Sequence, residues 1–170
     1  MNNPSTVAFH KCDLKKKNNK GSPLNITENQ VFDTTTPEET LKQIVEWLDK
    51  RKFDTLGIAS FGPVDLSTDS KTYGYITTTP KEKWWEKDFE KKKVFIKKKK
   101  KKKKNRRNTN VVGPFLKFGV PIGFDTDVNG PAISELCYGN HPPGSNSICY
   151  VTVGTGVGVG IVMDGKPVHG

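Results

Sequence analysis

The sequence predicts an α/β domain. Three observations carry that prediction: a capped amphipathic helix over 36–52, a strand-length apolar run right after it at 56–60, and a strand–helix–strand succession over 120–153. The helix opens with Thr36 as N-cap, Pro37 at the first helical position and Glu39 three residues after the cap, a T-x-x-E capping box. Leu41, Ile44, Val45 and Leu48 follow at helical spacing and make one buried stripe. Leu56 to Ser60 reads as a short buried strand that Gly62-Pro63 ends. Residues 72–79 (TYGYITTT) read as a further extended piece, and 111–118 as a short helix that Gly113-Pro114 weakens. Val120 to Phe124 is a buried strand ending in Asp125-Thr126-Asp127. A helix at about 130–138 carries Ile133, Leu136 and Cys137 on one side, and 147–153 is a strand. The glycine-rich stretch 154–160 leads into Ile161-Val162-Met163 and a tight Asp164-Gly165 turn.

Composition bounds the function classes. The 170 residues suffice for one ordinary domain, with 33% hydrophobic residues and 27% charged. No apolar stretch is long enough for a transmembrane helix, which excludes the membrane as a partner, and the N-terminus lacks the apolar core of a secretory signal. Three separated cysteines without a CxxC fit a reducing, cytoplasmic setting. The net charge of +10 is local. Residues 81–107 hold 16 Lys+Arg and 4 Asp+Glu, a net of +12, and the remaining 143 hold 12 and 14, a net of −2. Eight consecutive lysines repel one another, so about 86–107 is expected to be a disordered insertion. Its aromatic residues stand at one end and do not interleave with the charge, which argues against nucleic acid as a partner. Residues 1–31, polar and Lys/Asn-rich with only Ile26 and Val31 hinting at a strand, are expected to be a poorly ordered or atypical N-terminus.

Two segments stand out as candidates for chemistry. Asp125-Thr126-Asp127-Val128-Asn129 lies at the C-terminal end of a strand and ahead of a helix, where ligands sit in open α/β sheets. A carboxylate there can take a proton from an alcohol, and an amide can bind hydroxyls; Asp and Asn before a helix are also ordinary N-caps. The run GTGVGVG follows a strand, and its backbone N–H groups could cradle phosphate oxygens. Its other reading is a glycine-rich strand packed closely on a neighbour. Gly57 to Asp65 is a strand running into a Gly-Pro turn, and turn formation alone accounts for that pair. The histidines show no metal-site spacing and the cysteines read as core or loop thiols.

Taken together and in order, FDTTTPEET, GIASFGPVD, YGYITTTPK, NTNVVGPFLKFGVPIGFDTDVNG and YVTVGTGVGVGIVMDGKPVHG resemble the ROK family of sugar kinases, closest to the bacterial-type fructokinases. The resemblance covers about 112 of 170 residues, as 32–80 plus 108–170. It implies an actin-like ATPase fold, two ribonuclease-H-like lobes around a sugar and Mg-ATP cleft. Residues 32–145 would be most of the first lobe and 146–170 the opening hairpin of the second. It implies Asp127 as catalytic base, Gly62, Pro63, Thr126 and Asn129 in the sugar pocket, and Gly154, Thr155 and Gly156 at the ATP phosphates. The implied activity is ATP-dependent phosphorylation of a hexose, fructose to fructose 6-phosphate, with Mg²⁺. Zinc binding and a homodimer are open only to a full-length form. The family also includes sugar-responsive repressors, which need an N-terminal helix-turn-helix that residues 1–31 are too short and polar to supply. The third reading is a non-specific nucleic-acid binder acting through the lysines.

Several features depart from the family. Its N-terminal Gly-Gly-Thr-Lys phosphate turn has no counterpart in 1–31, and the chain stops before the family's His-Pro-Glu-x-Gly-His stretch. Gly130-Pro131 stands where relatives carry helix formers, and the lysine insertion interrupts the family pattern. A-rich DNA encodes such lysine and asparagine runs, so the insertion is expected to be translated intron or frameshifted sequence. The 170 residues alone are therefore expected to show little or no turnover.

Overall fold

The computed structural model describes residues 6–13, 25–77, 109–154 and 156–169. The expectations for the lysine insertion and for Thr155 lie outside these residues.

The chain opens on two antiparallel strands, β1 (Thr6–Asp13) and β2 (Asn25–Asp33). Within the stretch 1–31 expected to be poorly ordered, residues 6–13 and 25–31 are strand, and the rest lies outside the described residues. The polar composition hid a ladder that runs from Thr6 opposite Asp33 to Asp13 opposite Asn25, with one register shift at Lys11/Cys12. Backbone pairing on that scale does not require apolar side chains at every position.

Helix α1 (Pro37–Leu48) starts as the sequence predicts: Thr36 Oγ1 accepts from the Glu39 N–H at 3.3 Å. Ile44 and Leu48 are buried and form a core cluster with Leu56 and Phe115, against which Leu41, Val45 and Phe32 pack. Thr40 is also fully buried on this face, and its Oγ1 accepts the Thr35 N–H at 3.0 Å.

Strand β3 (Leu56–Ser60) pairs in parallel with β4 (Ile122–Thr126), residue for residue from Leu56–Ile122 to Ser60–Thr126. The strand thus sits two residues later than 120–124, so Asp125 and Thr126 belong to the strand itself. Ile58 packs into the first cluster and also into a second one built on Ile76 and Val111 with Phe61, Val64 and Phe124.

Of the stretch expected to be extended at 72–79, residues 72–74 are turn, Tyr75 and Ile76 make the single bridges Tyr75–Asn110 and Val64–Ile76, and 78–79 lie outside the described residues. Gly74 is what makes it turn: its φ is +80°, and a Cβ there would lie 2.6 Å from the Val112 side chain. The predicted short helix at 111–118 is a 3₁₀ helix over Gly113–Phe118.

Helix α2 (Asn129–Tyr138) packs on β3 and β4 through its first turn, where Gly130 approaches Ala59 so closely that a Cβ would sit 3.1 Å from the Ala59 Cβ. Its buried positions are Asn129 and Ala132, Ile133 and Leu136 are half-buried, and Cys137 is exposed on the helix, neither the core nor the loop thiol expected. A three-stranded antiparallel sheet follows: β5 (Ile148–Val153), β6 (Val157–Met163) and β7 (Lys166–Pro167). This sheet lies against α2.

Candidate active site at the β4–α2 turn

Parallel pairing of β3 with β4 brings two strand ends to one edge. The register places Ser60 beside Thr126, so Phe61-Gly62-Pro63 and Asp127-Val128 leave the sheet together. One more backbone bond extends the ladder: the Asp127 N–H donates to the Ser60 carbonyl at 2.8 Å. The Gly62–Pro63 peptide is cis, and the Pro63 carbonyl accepts from the Thr77 N–H at 2.8 Å and the Thr77 hydroxyl at 3.1 Å. Asp127 is exposed at this edge.

The glycine hairpin meets the same turn. A Cβ on Gly158 would lie 2.9 Å from Val128 Cγ1, and one on Gly160 would lie 2.2 Å from the Val128 carbonyl oxygen. β6 can approach this closely only because both positions lack side chains. The close-packing reading of GTGVGVG therefore holds for the second half of the run. Gly158 and Gly160 serve close packing. Gly154 and Gly156 form the hairpin tip, where a Cβ would meet nothing within 4 Å. The tip closes with the Gly154 N–H donating to the Gly156 carbonyl at 2.8 Å, so that amide is already used.

The remaining site residues form a hydrogen-bonded cluster behind Asp127. Asp125 Oδ1 accepts from the Thr126 N–H at 2.7 Å and from Asn129 Nδ2 at 2.9 Å. Thr126 Oγ1 accepts the Asn129 N–H at 3.1 Å, which holds the first turn of α2. Asn129 is 5% exposed, and its amide faces Asp125. The N-cap position of α2 is Val128, with no side-chain cap bond, so Thr126 holds the helix start from two residues earlier, and Asp127 is exposed beside it.

Two residues escaped the sequence reading. Asp125 stands in an acidic run with no spacing to single it out, and His169 has no patterned partner near it in the sequence. His169 Nε2 lies 2.9 Å from Asp125 Oδ2, a contact across 44 positions that no local pattern announces. His141 instead binds the Leu136 carbonyl at 2.8 Å and closes the end of α2. Among the described residues no three His, Cys, Asp or Glu side chains gather as a metal site. Mg²⁺ that arrives on a nucleotide needs no such cage, because phosphates and water supply most of its ligands. An open cavity of about 710 Å³ lies elsewhere, between α1 residues such as Glu38 and Leu41 and the Tyr75/Asn110 bridge, and contains none of the site residues.

The parallel strand pair with an acidic turn at its carboxyl edge, held against a glycine hairpin, is part of an actin-like ATPase fold. The ROK family model matches residues 20–170, and the chain belongs to the ROK family. It is 44% identical over 144 residues to a fructokinase of Zymomonas mobilis, covering 81% of this chain and 40% of that protein. A Lactococcus lactis fructokinase is 35% identical over 148 residues, covering 86% and 42%, and a Streptococcus mutans fructokinase 37% identical over 148, covering 85% and 42%. The chain thus spans about two-fifths of the length of these relatives. The crystal structure of an inorganic polyphosphate/ATP-glucomannokinase from Arthrobacter sp. strain KM shares the fold, with TM-score 0.54 and 20% identity over 98% of this chain and 61% of that one. No helix among the described residues is long and apolar enough to cross a membrane.

Proposed function

We propose that the protein transfers the γ-phosphoryl group of ATP to a hexose, fructose, with Asp127 as the base. The observation that carries this reading is the meeting of the Asp127 turn with the glycine hairpin at Val128. Names of relatives add weight, since fructokinases match along most of the chain.

Each residue has a part in this reading. Asp127 accepts the proton of the attacking sugar hydroxyl, which requires an accessible carboxylate at a fixed position. The bond to Ser60 fixes its backbone. Gly62 and Pro63, at the neighbouring strand end, line the sugar side together with Thr126. Asn129 supports that side through Asp125. Gly154 and Gly156 stand toward the nucleotide phosphates in this reading, with open space at both, and Thr155 joins them by the family resemblance alone. Mg²⁺ on the nucleotide would neutralise charge on the transferring group. The free, exposed Cys137 and Cys149 accord with a cytoplasmic location. In this reading 32–145 is most of one lobe and 146–170 opens the second, and a homodimer belongs to a longer form.

The test is transfer of label from γ-labelled ATP to sugar by the 170-residue chain. The expected result is slow, fructose-dependent transfer, well below the roughly 1–100 s⁻¹ usual for kinases. Transfer that ignores fructose, or that is equal in Asp127→Asn, contradicts the proposal.

A further inference from the structure

We infer that His169 and Asp125 form a positioning pair that couples the C-terminal hairpin to the turn carrying Asp127; its catalytic meaning rests on the kinase reading above.

The Asp125 side chain is only 15% exposed, so its oxygens need donors from the protein. Oδ1 receives two, from the Thr126 N–H and Asn129 Nδ2. Oδ2 receives His169 Nε2 at 2.9 Å. A carboxylate only accepts, so Nε2 carries the proton in this contact. Asn129 is in turn held at its own N–H by Thr126 Oγ1. Bonds from one carboxylate therefore brace the chain on both sides of Asp127.

His169 comes from the far end of the described chain, yet it is tied to β6. The Val168 N–H donates to the Ile161 carbonyl at 2.9 Å. Strand β6 is the strand whose Gly158 and Gly160 press on Val128. The hairpin thus grips the Asp127 turn twice, at Val128 through glycines and at Asp125 through His169. Any shift of the hairpin relative to β4 must strain or break the imidazole–carboxylate bond. His169 contacts Asp125 rather than the exposed turn, so its role is to hold Asp127 and Asn129 in place.

The test compares wild type, His169→Ala and His169→Gln as full 170-residue chains, by amide hydrogen exchange and by labelled phosphate transfer. Glutamine offers an amide N–H close to the position of imidazole Nε2. In His169→Ala, exchange at 126–129 should accelerate about tenfold or more while α1 is unchanged. His169→Gln should restore the slow exchange. Transfer at saturating fructose should fall about tenfold in His169→Ala, with the half-saturating fructose concentration within about twofold. Unchanged exchange at 126–129 in His169→Ala, or equal loss in both variants, overturns the pair. Should the 170-residue chain transfer no measurable phosphate, exchange alone decides the coupling.

Discussion

The backbone N–H of Asp127 donates to the carbonyl of Ser60 at 2.8 Å, one step beyond the last paired residues of the two parallel strands. The sheet itself therefore sets where the carboxylate stands, and the side chain is left exposed. Asp127→Asn keeps the backbone bond. Its unfolding free energy should stay within about 1 kcal/mol of wild type. Fructose-dependent transfer should fall by about 10²–10⁴-fold. Urea unfolding beside the transfer assay checks both halves, and a large joint loss would make Asp127 a structural residue.

The glycines of one hairpin should differ sharply in tolerance. A methyl on Gly160 would run into the Val128 carbonyl, whereas one on Gly156 meets nothing within 4 Å. Gly160→Ala should cost about 3 kcal/mol of stability. Gly156→Ala should stay within about 0.5 kcal/mol. Chemical denaturation of the two variants separates packing glycines from tip glycines.

Two neighbouring threonines should respond with opposite signs. Thr40 is fully buried, and its Oγ1 is the acceptor for the Thr35 N–H. Thr40→Val removes that acceptor and should destabilise by about 1–3 kcal/mol. The Thr35 hydroxyl is buried with no partner among the described residues. Thr35→Val deletes an orphan polar atom and should be neutral or stabilising. Thermal unfolding of both variants checks the contrast.

Much of this architecture was legible in the sequence because it is local. Thr36, Pro37 and Glu39 start a helix by their own chemistry, and the spacing of Ile44 and Leu48 states which side is buried. The strand at 56–60 and the acidic strand end at 125–127 followed from short apolar runs bounded by turns. Two things were not legible. The β1–β2 ladder draws on backbone pairing that composition does not display. The Asp125–His169 contact joins residues 44 positions apart, and only the assembled hairpin brings them together. Gly158 and Gly160 fall between these cases: glycine in a strand signalled close approach, but the partner, Val128, had to be seen.

Asp65 gives a pH signature. It is half-buried, and hydrogen bonds from Ser70 and Thr72, each at 2.6 Å, with a further one from the Ser67 N–H, hold its carboxyl below the usual carboxylate range. A carboxyl lowered on folding stabilises the native state above its unfolded pKa of about 3.9. That contribution is lost as pH falls through the lowered native value. Wild type should therefore be more stable than Asp65→Asn at neutral pH, with the two converging below about pH 4. Urea midpoints across pH 2–7 follow the convergence; a difference independent of pH would contradict it.

The β5–β6 sheet has an inner and an outer face that substitution should tell apart. Val162 is 1% exposed on the side toward α2, and Val159 is 49% exposed on the other. Val162→Ala should cost about 1–3 kcal/mol, and Val159→Ala well under 1 kcal/mol. Equal losses would mean that the outer face is covered in solution.

The union of an acidic turn with a glycine hairpin can be observed without any ligand. In a nuclear Overhauser spectrum of the methyl-labelled chain, the Val128 methyls should show strong cross-peaks to the α protons of Gly158. Absence of those peaks, in a sample whose Ala59 methyl still reports Gly130, would separate the hairpin from the Asp127 turn and contradict a shared site.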